Sequence, residues 1–139
     1  MNSIQPPSHE AIVHAVREVL PQARAAWLFG SAAQGRFRSG SDLDIAVDTV
    51  EALTPVHKWK AGEQLAQQFG RDVDLLDFRH LSTVMQAQVL STGILLFSAE
   101  PTETAGYCAF VFSEYQNIQS WRQPMMRQLA ERLSMGSRR

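Results

Sequence analysis

The sequence predicts an α/β (α+β) chain: a small mixed sheet of about four strands flanked by helices, followed by a long helical segment. Three observations predict it. Short apolar runs alternate with amphipathic stretches in the order α-β-α-β-α-β-α-β-α. Gly, Pro or a capping Ser/Thr punctuates most of the changes. The last quarter carries one apolar stripe at helical spacing.

The elements follow in order. Residues 1–7 form a polar leader ending in Pro6-Pro7, and Ser8 is placed to cap a helix running to about Leu20. Its apolar residues Ile12, Val13, Val16, Val19 and Leu20 share one face, and Pro21 stops it. Ala25–Phe29 reads as a first strand. Residues 31–35 read as a short helix ended by Gly35, and Arg36–Ser41 as a Gly/Ser/Arg loop. Asp42–Val47 reads as the second strand, with Asp42 and Asp44 on one face and Leu43 and Ile45 on the other.

Thr54-Pro55 opens a helix to about Phe69, which Gly70 ends. Val73–Phe78 is the third strand, Leu81–Leu90 a helix ending near Gly93, and Ile94–Phe97 the fourth strand. From about Thr102 to Leu133 one long helix or two is expected, because Ile118, Trp121, Met125, Leu129 and Leu133 form one stripe that Pro124 should kink or divide. Tyr107, Phe110, Val111, Phe112 and Tyr115 precede that stripe, and are read as cover for the sheet. Arg122, Arg127 and Arg132 lie away from the stripe, and Arg138-Arg139 close the tail.

At 139 residues, 45% hydrophobic and 19% charged, this is expected to be a single domain over 1–139. Its core is placed at about 8–98 and its C-terminal helical segment at about 102–135. A net charge of −1 argues against nucleic-acid binding through bulk charge. No apolar run approaches a membrane span and no signal peptide is visible, so a cytoplasmic protein is expected. The single Cys108 allows no intrachain disulfide and is read as a small hydrophobe. His9, His14, His57 and His80 are dispersed without metal spacing, and Trp59 is read as core.

Three places carry chemistry. Gly30-Ser31 sits where a strand turns into a helix, and such a turn offers free N–H groups to an anion. Ten residues further on, Asp42 and Asp44 put two carboxylates on one strand edge, a repulsion that a divalent cation relieves. Asp74 enters from the next strand as a third carboxylate, with Asp72 as its rival and Asp77 on the opposite parity. Such a third acid completes a two-metal site or deprotonates an attacking hydroxyl. The set suits phosphoryl or nucleotidyl transfer from a metal–nucleotide substrate.

Gly-Ser, ten residues, Asp-x-Asp and a later Val-Asp-Leu strand resemble the nucleotidyltransferase superfamily of the DNA polymerase β type, and the size resembles its minimal branch. The resemblance covers about residues 8–98. It implies a nucleotidyltransferase fold, with Gly30 and Ser31 as the phosphate-binding turn and Asp42, Asp44 and Asp74 as catalytic Mg²⁺ ligands. It implies ATP as substrate. It further implies an antitoxin role beside a HEPN-family ribonuclease toxin, which such proteins silence by transferring AMP to a tyrosine, in a hetero-oligomer. One departure stands out: Gln34 occupies a position where many relatives carry Arg, leaving Arg36 and Arg38 to supply charge from the loop. Two other functions compete: an antitoxin that blocks its partner by contact alone, and a transferase of small hydroxyl compounds or RNA ends.

Overall fold

The computed structural model describes residues 6–38 and 40–136. The leader's first five residues, position 39 of the loop and the Arg138-Arg139 tail lie outside the described residues. The elements are α1 (His9–Val19), β1 (Ala23–Phe29), a 3₁₀ turn (Gly30–Ala32), β2 (Leu43–Thr49), α2 (Pro55–Phe69), β3 (Val73–Asp77), a second 3₁₀ turn (Phe78–His80), α3 (Thr83–Thr92), β4 (Ile94–Ser98) and α4 (Pro101–Gly136). The sheet order is β3-β2-β1-β4. β1 runs antiparallel to β2 and to β4, while β3 is parallel to β2, so the sheet is mixed.

Helix starts follow their caps. Ser8 Oγ accepts the Ala11 N–H at 3.1 Å, and Thr54 Oγ1 accepts the His57 N–H at 3.1 Å with Pro55 at the first helical position. Gly70 closes α2 at φ 63°, in the left-handed region that glycine adopts without strain.

Both faces of the sheet are covered. Leu28, Leu43, Ile45, Val47 and Leu75 pack against Ile12, Val16, Ala61 and Leu65 of α1 and α2. Ala25, Trp27, Phe29 and Ala46 pack against Phe78 and Val89, with Tyr107 and Cys108 of α4 alongside. Trp27 stacks on Phe78 with centroids 4.4 Å apart.

Three expectations change and one alternative is decided. β2 begins at Leu43, so Asp42 lies just before it. The helix expected over 31–35 is a single 3₁₀ turn. Ala33 and Gln34 N–H groups both donate to the Gly30 carbonyl, and so short a segment between glycines cannot nucleate an α-helix. Trp59 is 65% exposed rather than core, because Ala61 and Leu65 are the fully buried residues of α2. The last segment is one helix of 36 residues that runs through Pro124 undivided. Pro124 and Ser120 are exposed, so the carbonyl that loses its partner is hydrated instead.

Helix α4 is about 54 Å long at 1.5 Å per residue, and only its first third meets the core. Tyr107 packs edge-on against Phe78 at 5.9 Å and its hydroxyl accepts from Gln86 Nε2 at 3.1 Å, while Val111 is buried. Phe110 and Phe112 are exposed, and no described side chain beyond Val111 is buried.

Candidate active site

The strand register assembles the candidate residues. Phe29 at the end of β1 pairs with Asp44 on β2, and Asp44 pairs with Asp74 on β3. Asp44 and Asp74 are therefore direct neighbours on one face, with Asp42 at the mouth of β2. Of the two rival acids, Asp74 is the one that lies opposite Asp44. Asp72 precedes the strand, and what it gives the sheet is its carbonyl, which accepts the Leu43 N–H at 3.0 Å.

Gly30 turns the chain away from β1 at φ +71°, and its bare Cα faces Asp44. A Cβ there would overlap Asp44 Oδ2 and stand 3.0 Å from Cγ. Glycine is thus needed twice, for the backbone angle and for the carboxylate's room. The space that a side chain would take is held by the Asp44 carboxylate.

Three carboxylates here lack a counter-charge. Among the described residues no Lys, Arg or His forms an ion pair with Asp42, Asp44 or Asp74. Burial first, then Asp74, then Asp42, push the Asp44 carboxyl up to about 6. The other acids of the sheet are compensated. Asp48 accepts from Arg79 Nε at 2.6 Å and from Arg24 Nη2 at 3.4 Å. Asp77, of opposite parity as expected, meets His80 at 3.0 Å and accepts the Leu53 N–H at 3.2 Å.

On the turn and loop that follow Gly30, an open cavity of about 480 Å³ is lined by Ser31, Gly35, Arg36, Phe37 and Arg38. The Ser31 hydroxyl bonds to no described protein group, and the first N–H groups of a 3₁₀ turn have no partner within it. Arg36 donates to Gln34 Oε1, so the glutamine at the departed position holds a loop arginine by the cavity.

The polymerase beta nucleotidyltransferase family matches residues 10–102. The chain belongs to that family. It is 33% identical over 115 residues to the protein adenylyltransferase MntA of Shewanella oneidensis, covering 83% of this chain and 82% of that one. A chain of a toxin–antitoxin complex solved with AMP-PNP superposes at a TM-score of 0.79 with 31% identity, over 89% of this chain and 99% of that one. Another, the MNT antitoxin in complex with a tri-AMPylated Shewanella oneidensis HEPN toxin, gives 0.71 and 29%, over 88% and 95%.

The nucleotidyltransferase offers a donor set that fits a hard divalent cation: carboxylate oxygens only, mutually repelling and without a cation of their own. Among the described residues no three acidic or imidazole groups are already drawn together as a metal-holding set.

One positioning feature escaped the sequence reading. Arg71 Nη1 donates to the Ser41 carbonyl at 3.2 Å and its guanidinium lies 4.4 Å over the Phe37 ring, tying the loop before Asp42 to the start of β3. Arg71 is 30 residues from Ser41, so no local pattern announces the contact. Trp59, expected in the core, instead lines an open groove with Lys58, Gly62, Glu63 and Asp74. Among the described residues no helix is long and apolar enough to cross a membrane.

Proposed function

We propose that the chain is a Mg²⁺-dependent protein adenylyltransferase antitoxin that transfers AMP from ATP to a tyrosine hydroxyl of a partner HEPN ribonuclease toxin and silences it. The observation that carries this reading is the uncompensated trio Asp42, Asp44 and Asp74, with the Gly30-Ser31 turn packed against Asp44 at Gly30. The similar proteins support it. One is named a protein adenylyltransferase, one complex holds AMP-PNP, and one holds an AMPylated HEPN toxin.

In this reading Ser31 and the loop arginines hold the β- and γ-phosphates. Asp42, Asp44 and Asp74 would hold Mg²⁺, which neutralises the charge that builds on the phosphates during transfer. The acceptor oxygen bonds to the α-phosphorus while the bond to the bridging oxygen breaks. Pyrophosphate leaves with that electron pair, and the hydroxyl proton passes to Asp74 and then to water.

A partner surface is also at hand. Trp121, Met125, Met126, Leu129 and Leu133 of α4 are each about half exposed or more, with no core to cover. This stripe docks the toxin and gives the hetero-oligomer, which supports a second contribution by contact. Incubation with α-labelled ATP, Mg²⁺ and the partner toxin should label the toxin, and Asp42→Ala plus Asp44→Ala should abolish the label. Equal neutralisation of the toxin by wild type and the double variant would leave contact as the whole mechanism.

A further inference from the structure

The β3 strand lies at the edge of the sheet, so one side of Val73–Asp77 has no strand neighbour. The Asp72 carbonyl accepts from β2, which turns the polar backbone groups of 72, 74 and 76 inward and those of Val73 and Leu75 outward. Among the described residues no loop or cap bond satisfies those outward groups. An open groove of about 330 Å³ runs beside this edge, walled by Lys58, Trp59, Gly62 and Glu63 of α2. Val73, Asp74 and Leu75 of β3 line its other side.

The position of this edge relative to the acids matters. The phosphate turn flanks Asp44 on the β1 side, and β3 flanks it on the other. In-line displacement places leaving and attacking oxygens on opposite sides of the transferred phosphorus. The acceptor therefore comes from the β3 side. Alternating outward N–H and C=O groups complement a polypeptide backbone, not a nucleobase or a sugar. A residue paired opposite Asp74 would carry its side chain on Asp74's face, about 5 Å away at Cβ. Its neighbours would point the other way, toward the Trp59 ring and the Lys58 and Glu63 charges.

We infer that the outer edge of β3 receives an extended segment of the acceptor protein as an added strand, delivering its hydroxyl side chain to Asp74. The inference rests on the adenylyltransferase reading above for its chemistry but makes a separate claim about docking. Val73 is the first residue of β3, where proline removes an outward N–H and leaves the inner ladder intact.

The test uses the full chain and the purified partner toxin. Hydrogen exchange at the Leu75 amide should slow when toxin is added without nucleotide, while the inward amides of Asp74 and Leu76 stay as they were. With α-labelled ATP and Mg²⁺, Val73→Pro should raise KM for the toxin about tenfold and leave ATP affinity within about twofold. Trp59→Ala, at an exposed site that folding does not need, should raise the same KM severalfold at unchanged kcat. Normal labelling by Val73→Pro together with unchanged Leu75 exchange would overturn the docking and leave the transferase standing. Slowed Leu75 exchange with no labelling by wild type would do the reverse.

Discussion

Replacing Asp44 with asparagine should make the metal-free protein more stable while destroying its activity. The Asp44 carboxyl is raised from 3.8 to about 6 by burial, Asp74 and Asp42. Between those values the folded state binds more protons than the unfolded state, so stability falls as pH rises through the window. The penalty is complete above about 6 and absent below about 3.8. At 1.36 kcal/mol per unit the shift would cost about 3 kcal/mol, and solvent screening of a half-exposed group brings this to about 1–2 kcal/mol. Asparagine keeps the shape and removes the charge. Thermal melts in EDTA at pH 7.5 should therefore show Asp44→Asn melting about 3–6 °C above wild type, with the gap closing at pH 4. Adding Mg²⁺ and AMP-PNP at about 100 times Kd should return about 2.7 kcal/mol to wild type and almost nothing to the variant. A variant less stable than wild type at pH 7.5, or a gain of equal size at both pH values, would refute the electrostatic reasoning.

Gly30→Ala should cost about 2 kcal/mol from the left-handed backbone alone. By displacing the Asp44 carboxyl it should also lower AMP transfer about 100-fold, read by single-turnover labelling. Arg71→Ala loses the Phe37 stacking and the Ser41 bond, so denaturant melts should show about 1–2 kcal/mol of destabilisation and the KM for ATP should rise severalfold. Trp121→Glu with Leu129→Glu should leave Tm within about 2 °C, since both side chains are exposed, and weaken toxin binding more than about tenfold in calorimetry.

What the sequence could disclose was local. Capping residues at Ser8 and Thr54-Pro55 marked helix starts, and short apolar runs marked strands, because both signals sit within a few residues of what they report. The Gly30-Ser31 and Asp42/Asp44 placement was legible for the same reason. Which of Asp72 and Asp74 lies opposite Asp44 was not: it depends on where β3 begins, which the pairing with β2 decides. Trp59 read as core because large aromatics usually are, whereas α2 buries small Ala61 and Leu65 and turns the ring outward. The stripe on α4 was visible as periodicity, but periodicity records that a face is apolar, not what covers it.

Strand β2 itself supplies the control for the whole argument. Asp44 and Asp48 lie on the same strand and the same face, four residues apart. The fold brings Arg24 and Arg79 to Asp48 and no cation to Asp44. Asp48 is almost wholly buried, so a lone charge there would be untenable, and its two arginines make it structural. Asp44 is left facing two other acids, a cost that a folding-only role does not explain and a bound cation removes. The two asparagine variants should then move stability in opposite directions. Asp44→Asn gains, while Asp48→Asn strands Arg24 and Arg79 and should lose about 2 kcal/mol, the loss held down by the partial exposure of Arg79. Mg²⁺ with AMP-PNP should still stabilise Asp48→Asn by as much as it stabilises wild type. Equal signs for the two substitutions, or loss of the ligand effect in Asp48→Asn, would mean that β2 does not divide its acids between folding and chemistry.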